Sequence, residues 1–129
     1  MSELTPYLCV SDARSAIAWY VDVLGAEVVL DPIEMPDGRI GHVELAVAGA
    51  RWMLSDAFDS AGVAAPDPGR GAAVSLHLSV VDVDAVCARV MAAGVVIDRG
   101  PEDSPPAGRV AVFHDPSGHR WFLNQPLPV

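Results

Sequence analysis

A chain of 129 residues with a net charge of -9 and only eight basic side chains argues against a nucleic-acid partner, because phosphate binding needs clustered Lys and Arg. Its 51% hydrophobic residues are ordinary for one globular domain. No leader segment is visible and no apolar run is long enough for a bilayer, so we expect a cytoplasmic protein without a membrane partner. Cys9 and Cys87 lack metal-ligand spacing, which is consistent with free thiols in a reducing compartment.

The first half of the chain predicts one helix and four strands. Asp12 is a typical helix N-cap, and apolar residues recur at helical spacing from Ala13 until Gly25 ends the pattern. The flanking segments alternate apolar with polar residues or are rich in β-branched ones, and both patterns are typical of strands. The predicted strands of this βαβββ unit cover residues 4–10, 26–35, 40–47 and 51–55.

The second half predicts the same order of elements after a connector. Residues 57–72 are rich in Ala, Gly, Pro and Asp and have no periodicity, which is typical of a linking segment. A second helix is predicted from Asp82 to Ala93, ended by Gly94, and a Pro/Gly loop is predicted from residue 100 to Gly108. The predicted strands cover residues 74–80, 95–99, 109–114 and 119–125.

An internal repeat relates the two halves. The stretch from Gly49 to Asp56 recurs from Gly118 to Gln125, with Gly, Arg, Trp and Leu identical at equivalent positions. Repeats of this kind indicate copies of one structural unit. We therefore predict a single domain over residues 1–129, with unit 1 at about 1–56, a connector at about 57–72 and unit 2 at about 73–129.

Strand alternation assigns two faces to each predicted sheet, because successive side chains point to opposite sides. Trp52 and Trp121 fall on the face that packs under the helix. The opposite face mixes hydroxyl, imidazole, carboxylate, guanidinium and aromatic groups, and such a mixture is typical of a small-molecule site. Its members include Thr5, Tyr7, Cys9, His42, Glu44, Met53, Ser55, Ser75, His77, Arg120, Phe122 and Asn124.

Two motifs carry a family resemblance that covers essentially the whole chain. They are D-x-x-x-A-x-x-W-Y-x-x-x-L-G-A from Asp12 and D-P-S-G-H-R-W from Asp115. With the tandem βαβββ plan, they resemble the vicinal oxygen chelate superfamily of glyoxalases, bleomycin-resistance proteins and extradiol dioxygenases, and within it a bacterial glyoxalase-like subgroup of unassigned substrate. The resemblance implies an α+β fold in which both units form a curved mixed sheet, a half-barrel with helices on its outer face. By analogy it also implies a homodimer.

The resemblance further implies where a divalent metal would be held. Enzymes of the superfamily take one ligand from the first and one from the last strand of each unit. The equivalent positions here are Thr5, Met53, Ser75 and Phe122. None of these side chains offers the imidazole, carboxylate or thiolate donors that such metals need, so we expect no metal cofactor.

These replacements favour a binding protein over an enzyme. Large apolar groups in place of metal ligands suit contact with an apolar or aromatic metabolite or drug, which metal-free relatives sequester. Arg120 is a candidate for pairing with a ligand carboxylate or phosphate, with a salt bridge to a protein acid as the alternative. The expected ligand-binding residues are Thr5, Tyr7, Met53, Ser75, His77, Arg120 and Phe122.

An enzymatic alternative stays open. His42, Glu44 and His77 lie on the same predicted faces and could hold a displaced divalent metal, which would support a glyoxalase-like lyase, isomerase or dioxygenase. They could also supply an acid/base pair without metal, with His77 as the catalytic candidate. A purely structural role for all three, with a collapsed cavity, is the remaining interpretation.

Overall fold

The computed structural model describes residues 1–128 and has two compact units, Met1–Pro66 and Asp67–Val129. Each unit packs one helix against an open four-stranded mixed sheet, which confirms the α+β class and the tandem βαβββ plan. The elements of unit 1 are β1 (Tyr7–Val10), α1 (Ala13–Leu24), β2 (Glu27–Glu34), β3 (Ile40–Val47), β4 (Ala50–Asp56) and a 3₁₀ turn at Asp59–Ala61. Those of unit 2 are β5 (Ser75–Ser79), α2 (Val83–Ala92), β6 (Ile97–Ser104), β7 (Gly108–His114) and β8 (Arg120–Pro126).

The two sheets share one strand order. They run β1-β4-β3-β2 and β5-β8-β7-β6, and in each the first and last strands of the unit are parallel neighbours. The other neighbouring strands are antiparallel. This order puts Tyr7 beside Met53 in unit 1 and His77 beside Phe122 in unit 2. First-strand and last-strand side chains therefore meet on one face of each sheet.

The helix side of each sheet forms the core. Tyr20 of α1 is 1% exposed and meets Trp52 edge-on, with ring centroids 5.4 Å apart. Trp121 of unit 2 is 2% exposed, and its indole Nε1 donates to Oδ2 of Asp115 at 2.8 Å. Both tryptophans are thus core residues, as alternation predicts, and Asp115 explains why an Asp opens the motif that ends in Trp121.

Helix ends follow the predicted caps with one difference. Asp12 accepts from the backbone N–H of Ser15, and Asp82 accepts from that of Ala85. Gly25 ends α1 in the left-handed region at φ 73°. In unit 2 the residue after the helix is Ala93, and the left-handed Gly94 follows it.

A side chain from the last strand of each unit accepts a hydrogen bond from the first backbone N–H of that unit's helix. Asp56 accepts the N–H of Ala13 on Oδ1 and that of Ile40 on Oδ2, both at 2.7 Å. Gln125, its equivalent in the repeat, accepts the N–H of Val83 at 3.0 Å. The first N–H groups of a helix have no intrahelical partner, so both side chains satisfy donors that would otherwise be buried unpaired.

Two predicted segments differ from the structure. The first strand begins at Tyr7 rather than residue 4, because Pro6 has no N–H and joins the ladder only as an acceptor for Met53. The predicted loop after Arg99 is wrong, because β6 continues to Ser104. A register shift between Arg99 and Glu102 accommodates Gly100 and the following proline as a bulge.

The stretch predicted as a connector contains some local structure. Phe58 and Val63 form an isolated bridge around the 3₁₀ turn, and the division between units falls after Pro66. Among residues 1–128, no helix combines the length and hydropathy needed to cross a membrane.

Candidate functional site

The face of unit 1 that points away from α1 carries a chain of hydrogen bonds. Nδ1 of His42 lies 2.7 Å from the Tyr7 hydroxyl, and Nε2 lies 3.0 Å from Oε2 of Glu44. Arg51 donates to the second oxygen, Oε1, at 3.1 Å. The four side chains come from β1, β3 and β4, so sheet pairing brings together residues up to 44 positions apart (51 − 7).

Protons in this network are constrained by the charges around it. The hydrogen bond from His42, followed by the charges of His42 and Arg51, lowers the pKa of Glu44, which is therefore an anion at neutral pH. Partial burial, followed by the Glu44 charge, raises the pKa of Tyr7, so this phenol keeps its proton. The Tyr7 hydrogen can go to His42 or to the carbonyl of Gly41, which lies 2.9 Å away.

The equivalent face of unit 2, which points away from α2, carries an aromatic pair. The rings of His77 on β5 and Phe122 on β8 are near parallel, with an interplanar angle of 16° and centroids 5.6 Å apart. The guanidinium of Arg99 lies 5.9 Å from the centre of the Phe122 ring. Arg99 is itself held by Glu102 and by the hydroxyl of Ser104. Such a group offers ring area together with a positive charge over one of its rings.

Arg120 lies two residues before Phe122 on β8, and its hydrogen-bond partner is a neutral side chain. Its Nη1 donates to Oγ of Ser75 at 2.6 Å. No carboxylate of residues 1–128 lies within salt-bridge distance of it, whereas its repeat equivalent Arg51 is paired with Glu44. The salt bridge that was the alternative interpretation for Arg120 is therefore absent from the described part of the chain.

The predicted site residues separate into two groups. Tyr7 and Met53 are neighbours in unit 1, and Ser75, His77, Arg120 and Phe122 are neighbours in unit 2. Thr5 lies two residues before β1 and is half-buried, so it is not a strand residue of the face. The open part of the unit 2 face ends before Asn124, which is 8% exposed.

Two participants were not predicted from the sequence. The sequence indicates only that Arg51 is the repeat equivalent of Arg120, and its contact with Glu44 depends on the pairing of β3 with β4. Arg99 reaches Phe122 only because of the register between β6, β7 and β8. The repeat itself is a sequence signal for Arg51. For Arg99 no signal exists, because the bulge in β6 shifts its register with β7.

The side chains at the positions that the resemblance implies for the metal do not fit one. Phe122 and Met53 offer no hard donor, and Oγ of Ser75 is engaged by the cationic Arg120. Among the described residues, no group of three or more His, Cys, Asp or Glu side chains is arranged as a metal site. Of the displaced set, His42 and Glu44 bond to each other in unit 1, and His77 stacks on Phe122 in unit 2.

Comparison with known proteins supports the resemblance. Residues 4–123 match the family model described as Glyoxalase/Bleomycin resistance protein/Dioxygenase superfamily. The chain is 38% identical over 127 residues to the uncharacterized protein Mb0911c of Mycobacterium bovis. The match covers 96% of this chain and 83% of the relative. An uncharacterized protein of Mycobacterium tuberculosis, Rv0887c, has the same identity, with coverage of 96% and 74%.

Solved structures with the same fold include an antibiotic binding protein and a fosfomycin resistance protein. TioX from Micromonospora sp. ML1 has a TM-score of 0.76 at 26% identity, covering 98% of this chain and 100% of that one. TnmS3 from Streptomyces sp. CB03234, an antibiotic binding protein, has a TM-score of 0.71 at 33% identity, covering 98% of each chain. The fosfomycin resistance protein FosX from Listeria monocytogenes, at 15% identity and a TM-score of 0.73 over 98% of this chain and 92% of that one, shares the fold.

Proposed function

Because the chain belongs to the Glyoxalase/Bleomycin resistance protein/Dioxygenase superfamily, we propose that it binds a small apolar or aromatic molecule, a metabolite or drug, without the superfamily's metal. The observation that carries the proposal is the near-parallel pair of His77 and Phe122, because a ring stands where a metal ligand would be needed. The similarity to an antibiotic binding protein at 33% identity supports the same function. Sequestration would then protect the cell from the bound compound.

The open face of each unit has polar groups of its own that would orient a ligand bound there. In unit 1, Tyr7 is 53% exposed and its phenol keeps its proton, and its hydroxyl is already held by His42 and the Gly41 carbonyl, so a ligand would meet a phenol of fixed orientation. In unit 2, Ser75 and Arg120 supply polar contacts beside the rings. A few fixed polar groups beside apolar surface are the usual means by which a small-molecule site selects its ligand.

One observation favours a second candidate, a glyoxalase-like lyase, isomerase or dioxygenase. His42 and Glu44 form a hydrogen-bonded pair that could transfer a proton or bind a divalent ion. For both to face one ion, the contact between them would have to open. The two candidates differ in their response to metal, and to His77→Ala, which should abolish turnover in an enzyme using the displaced site but weaken binding only modestly in a binding protein.

We also propose that the protein is a homodimer and cytoplasmic. Strand β2 is an edge strand that exposes apolar side chains on both of its faces, among them Val28, Leu30 and Ile33. Exposed apolar area of this kind is typical of an interaction surface. The two free cysteines, Cys9 and Cys87, are consistent with a reducing compartment.

Calorimetric titration with 2-naphthamide, a neutral bicyclic aromatic probe, tests the binding function. Phe122→Ala should weaken binding about tenfold, since ring contact contributes on the order of 1 kcal/mol beyond area burial. Phe58→Ala is the matched control, because that ring contacts Arg39 outside the unit 2 face. Equal affinity of Phe122→Ala and the unaltered protein would contradict the proposed site.

A further inference from the structure

We propose that the ligand is an aromatic carboxylate whose ring contacts His77 and Phe122 and whose carboxylate pairs with Arg120. This inference rests on the proposed binding function and specifies its ligand class. Its starting point is the arginine inventory of the chain: the eight basic residues are all Arg, and six of them have a carboxylate within 4 Å. Arg120 instead donates to a neutral hydroxyl.

The charge balance makes this arrangement informative. The chain has 17 acidic residues for eight arginines, so a carboxylate partner for Arg120 would be easy to provide. Arg120 is half-buried, and a partly buried cation loses solvation that a neutral hydroxyl only partly replaces. An incoming anion would restore the missing interaction, and a guanidinium can do so with two parallel hydrogen bonds to a carboxylate.

Neighbouring acids are engaged elsewhere. His114 is the register partner of Arg120 on β7, and its Nδ1 lies 2.7 Å from Oδ2 of Asp98. Glu102 is the partner of Arg99. Both of these β6 carboxylates therefore have partners of their own, and no carboxylate of residues 1–128 lies within salt-bridge distance of Arg120, which leaves its guanidinium available to a ligand.

The register sets the distance between the two contacts. Arg120 and Phe122 are two residues apart on one face of β8, which places their Cα atoms about 7 Å apart. Ser75 and His77 repeat the same spacing on the adjacent strand and are the register partners of Arg120 and Phe122. The register pair Ser75 and Arg120 thus offers a cation held by a hydroxyl, and the next pair on the same face, His77 and Phe122, offers two rings. A flat acid that carries its carboxylate directly on a fused ring system matches both pairs.

The test compares 2-naphthoate with 2-naphthamide, which differ in charge and hardly in shape. We expect the unaltered protein to bind the carboxylate at least about tenfold more tightly, in line with the strength of charged hydrogen bonds. Arg120→Gln should abolish that preference while leaving amide binding within about threefold. Arg70→Gln, which removes one charge from an exposed ion pair with Asp67, is the matched control and should keep the preference.

The outcomes distinguish failure of the carboxylate assignment from failure of the proposed ring site. Equal binding of acid and amide by the unaltered protein would overturn the carboxylate assignment and leave the proposed binding function intact. Loss of both affinities in Arg120→Gln, with thermal stability unchanged, would also overturn it, because the guanidinium would then serve the ring site. If neither probe binds, the ring site itself fails, and with it both proposals. Should Arg120→Gln be unstable, Ser75→Ala gives the same comparison, with a reduced preference expected from loss of the hydroxyl that orients Arg120.

Discussion

At the scale of single residues, Asp56 and Gln125 show how a repeat keeps a role while changing the side chain. Both accept the first N–H of the helix in their own unit, and only Asp56 also accepts a second one, from Ile40. Ala13, Ile40 and Val83 are all buried, so water cannot replace these acceptors without rearrangement. The contact ties the last strand of each unit to its helix.

Substitution of Asp56 should therefore be costly. We expect Asp56→Ala to lower the free energy of unfolding by about 2 to 4 kcal/mol, because two buried donors lose their acceptor. Gln125→Ala, which strands a single donor, should cost about 1 to 2 kcal/mol by the same reasoning. Urea denaturation followed by tryptophan fluorescence measures both. A cost below that of Gln125→Ala would show that the bonds of Asp56 contribute little.

Glu44 gives the unit 1 network its pH dependence. Because its pKa is lowered in the folded protein, the folded state binds fewer protons near pH 4 than the unfolded state does. Its contribution to stability is therefore complete above the ordinary pKa of about 4.3 and is lost as the pH falls through the lower folded value.

Glu44→Gln should reduce this acid sensitivity. The variant should be less stable than the unaltered protein at neutral pH, and the difference should shrink between about pH 5 and about pH 3 as Glu44 is protonated in the unaltered protein. Melting temperatures across that range measure it. Glu27→Gln, a change on the exposed strand β2, is the control for charge alone. Parallel pH profiles for Glu44→Gln and the unaltered protein would contradict the role assigned to the carboxylate.

At the scale of elements, β6 depends on a glycine. Gly100 has φ 78°, and a Cβ at this position would lie 2.3 Å from the carbonyl oxygen of Val110 and 3.0 Å from the backbone nitrogen of Glu102. Both neighbours are backbone atoms of the β6–β7 ladder and cannot move independently. The bulge that carries Arg99 to the Phe122 ring therefore requires glycine.

Gly100→Ala should destabilise unit 2 by at least about 2 kcal/mol, from the left-handed conformation together with the clash. Gly71→Ala is the matched control, since a Cβ there meets nothing within 4 Å. Thermal denaturation monitored by circular dichroism compares them. If Gly100→Ala melts with the control, the bulge tolerates a side chain and its register is not fixed by this residue.

The same element shows the limit of the sequence. Caps at Asp12 and Asp82, the tandem plan and the buried Trp52 and Trp121 are local or periodic features, and all were predicted correctly. The continuation of β6 was not, because Gly and Pro indicate a loop unless the partner strand is known.

Site contacts that cross strands depended on register in the same way. Alternation placed His42, Glu44 and Tyr7 on one face, but their hydrogen bonds follow from the alignment of β1, β4 and β3. The partner of Arg120 could not be chosen from 17 acids and several hydroxyls until β5 was aligned with β8.

At the scale of the whole molecule, the two units have identical last-strand residues on the helix side of their sheets and different ones on the open side. Trp52 and Leu54 match Trp121 and Leu123 on the helix side, where packing restricts the choice. On the opposite side Met53 stands where unit 2 has Phe122. The open face of each unit therefore presents its own set of side chains.

The proposed dimer follows from the exposed apolar strand β2. Sedimentation at micromolar concentration should give twice the chain mass of 13.5 kDa. Ile33→Glu, at an apolar side chain that is 52% exposed, should shift the mass toward one chain, whereas Val96→Glu, outside β2 and 74% exposed, should not. A single-chain mass for the unaltered protein would rule out this assembly.

Binding without metal is the central claim, and one measurement addresses it directly. Calorimetric titration of 2-naphthoate into chelator-treated protein should give the same dissociation constant in EDTA as in the presence of nickel, zinc, manganese or iron(II). Nor should these ions raise the melting temperature, as a ligand that binds the folded state would. Stoichiometric tight binding of one of them, with ligand binding or turnover that requires it, would contradict the account and favour the enzyme built on His42, Glu44 and His77.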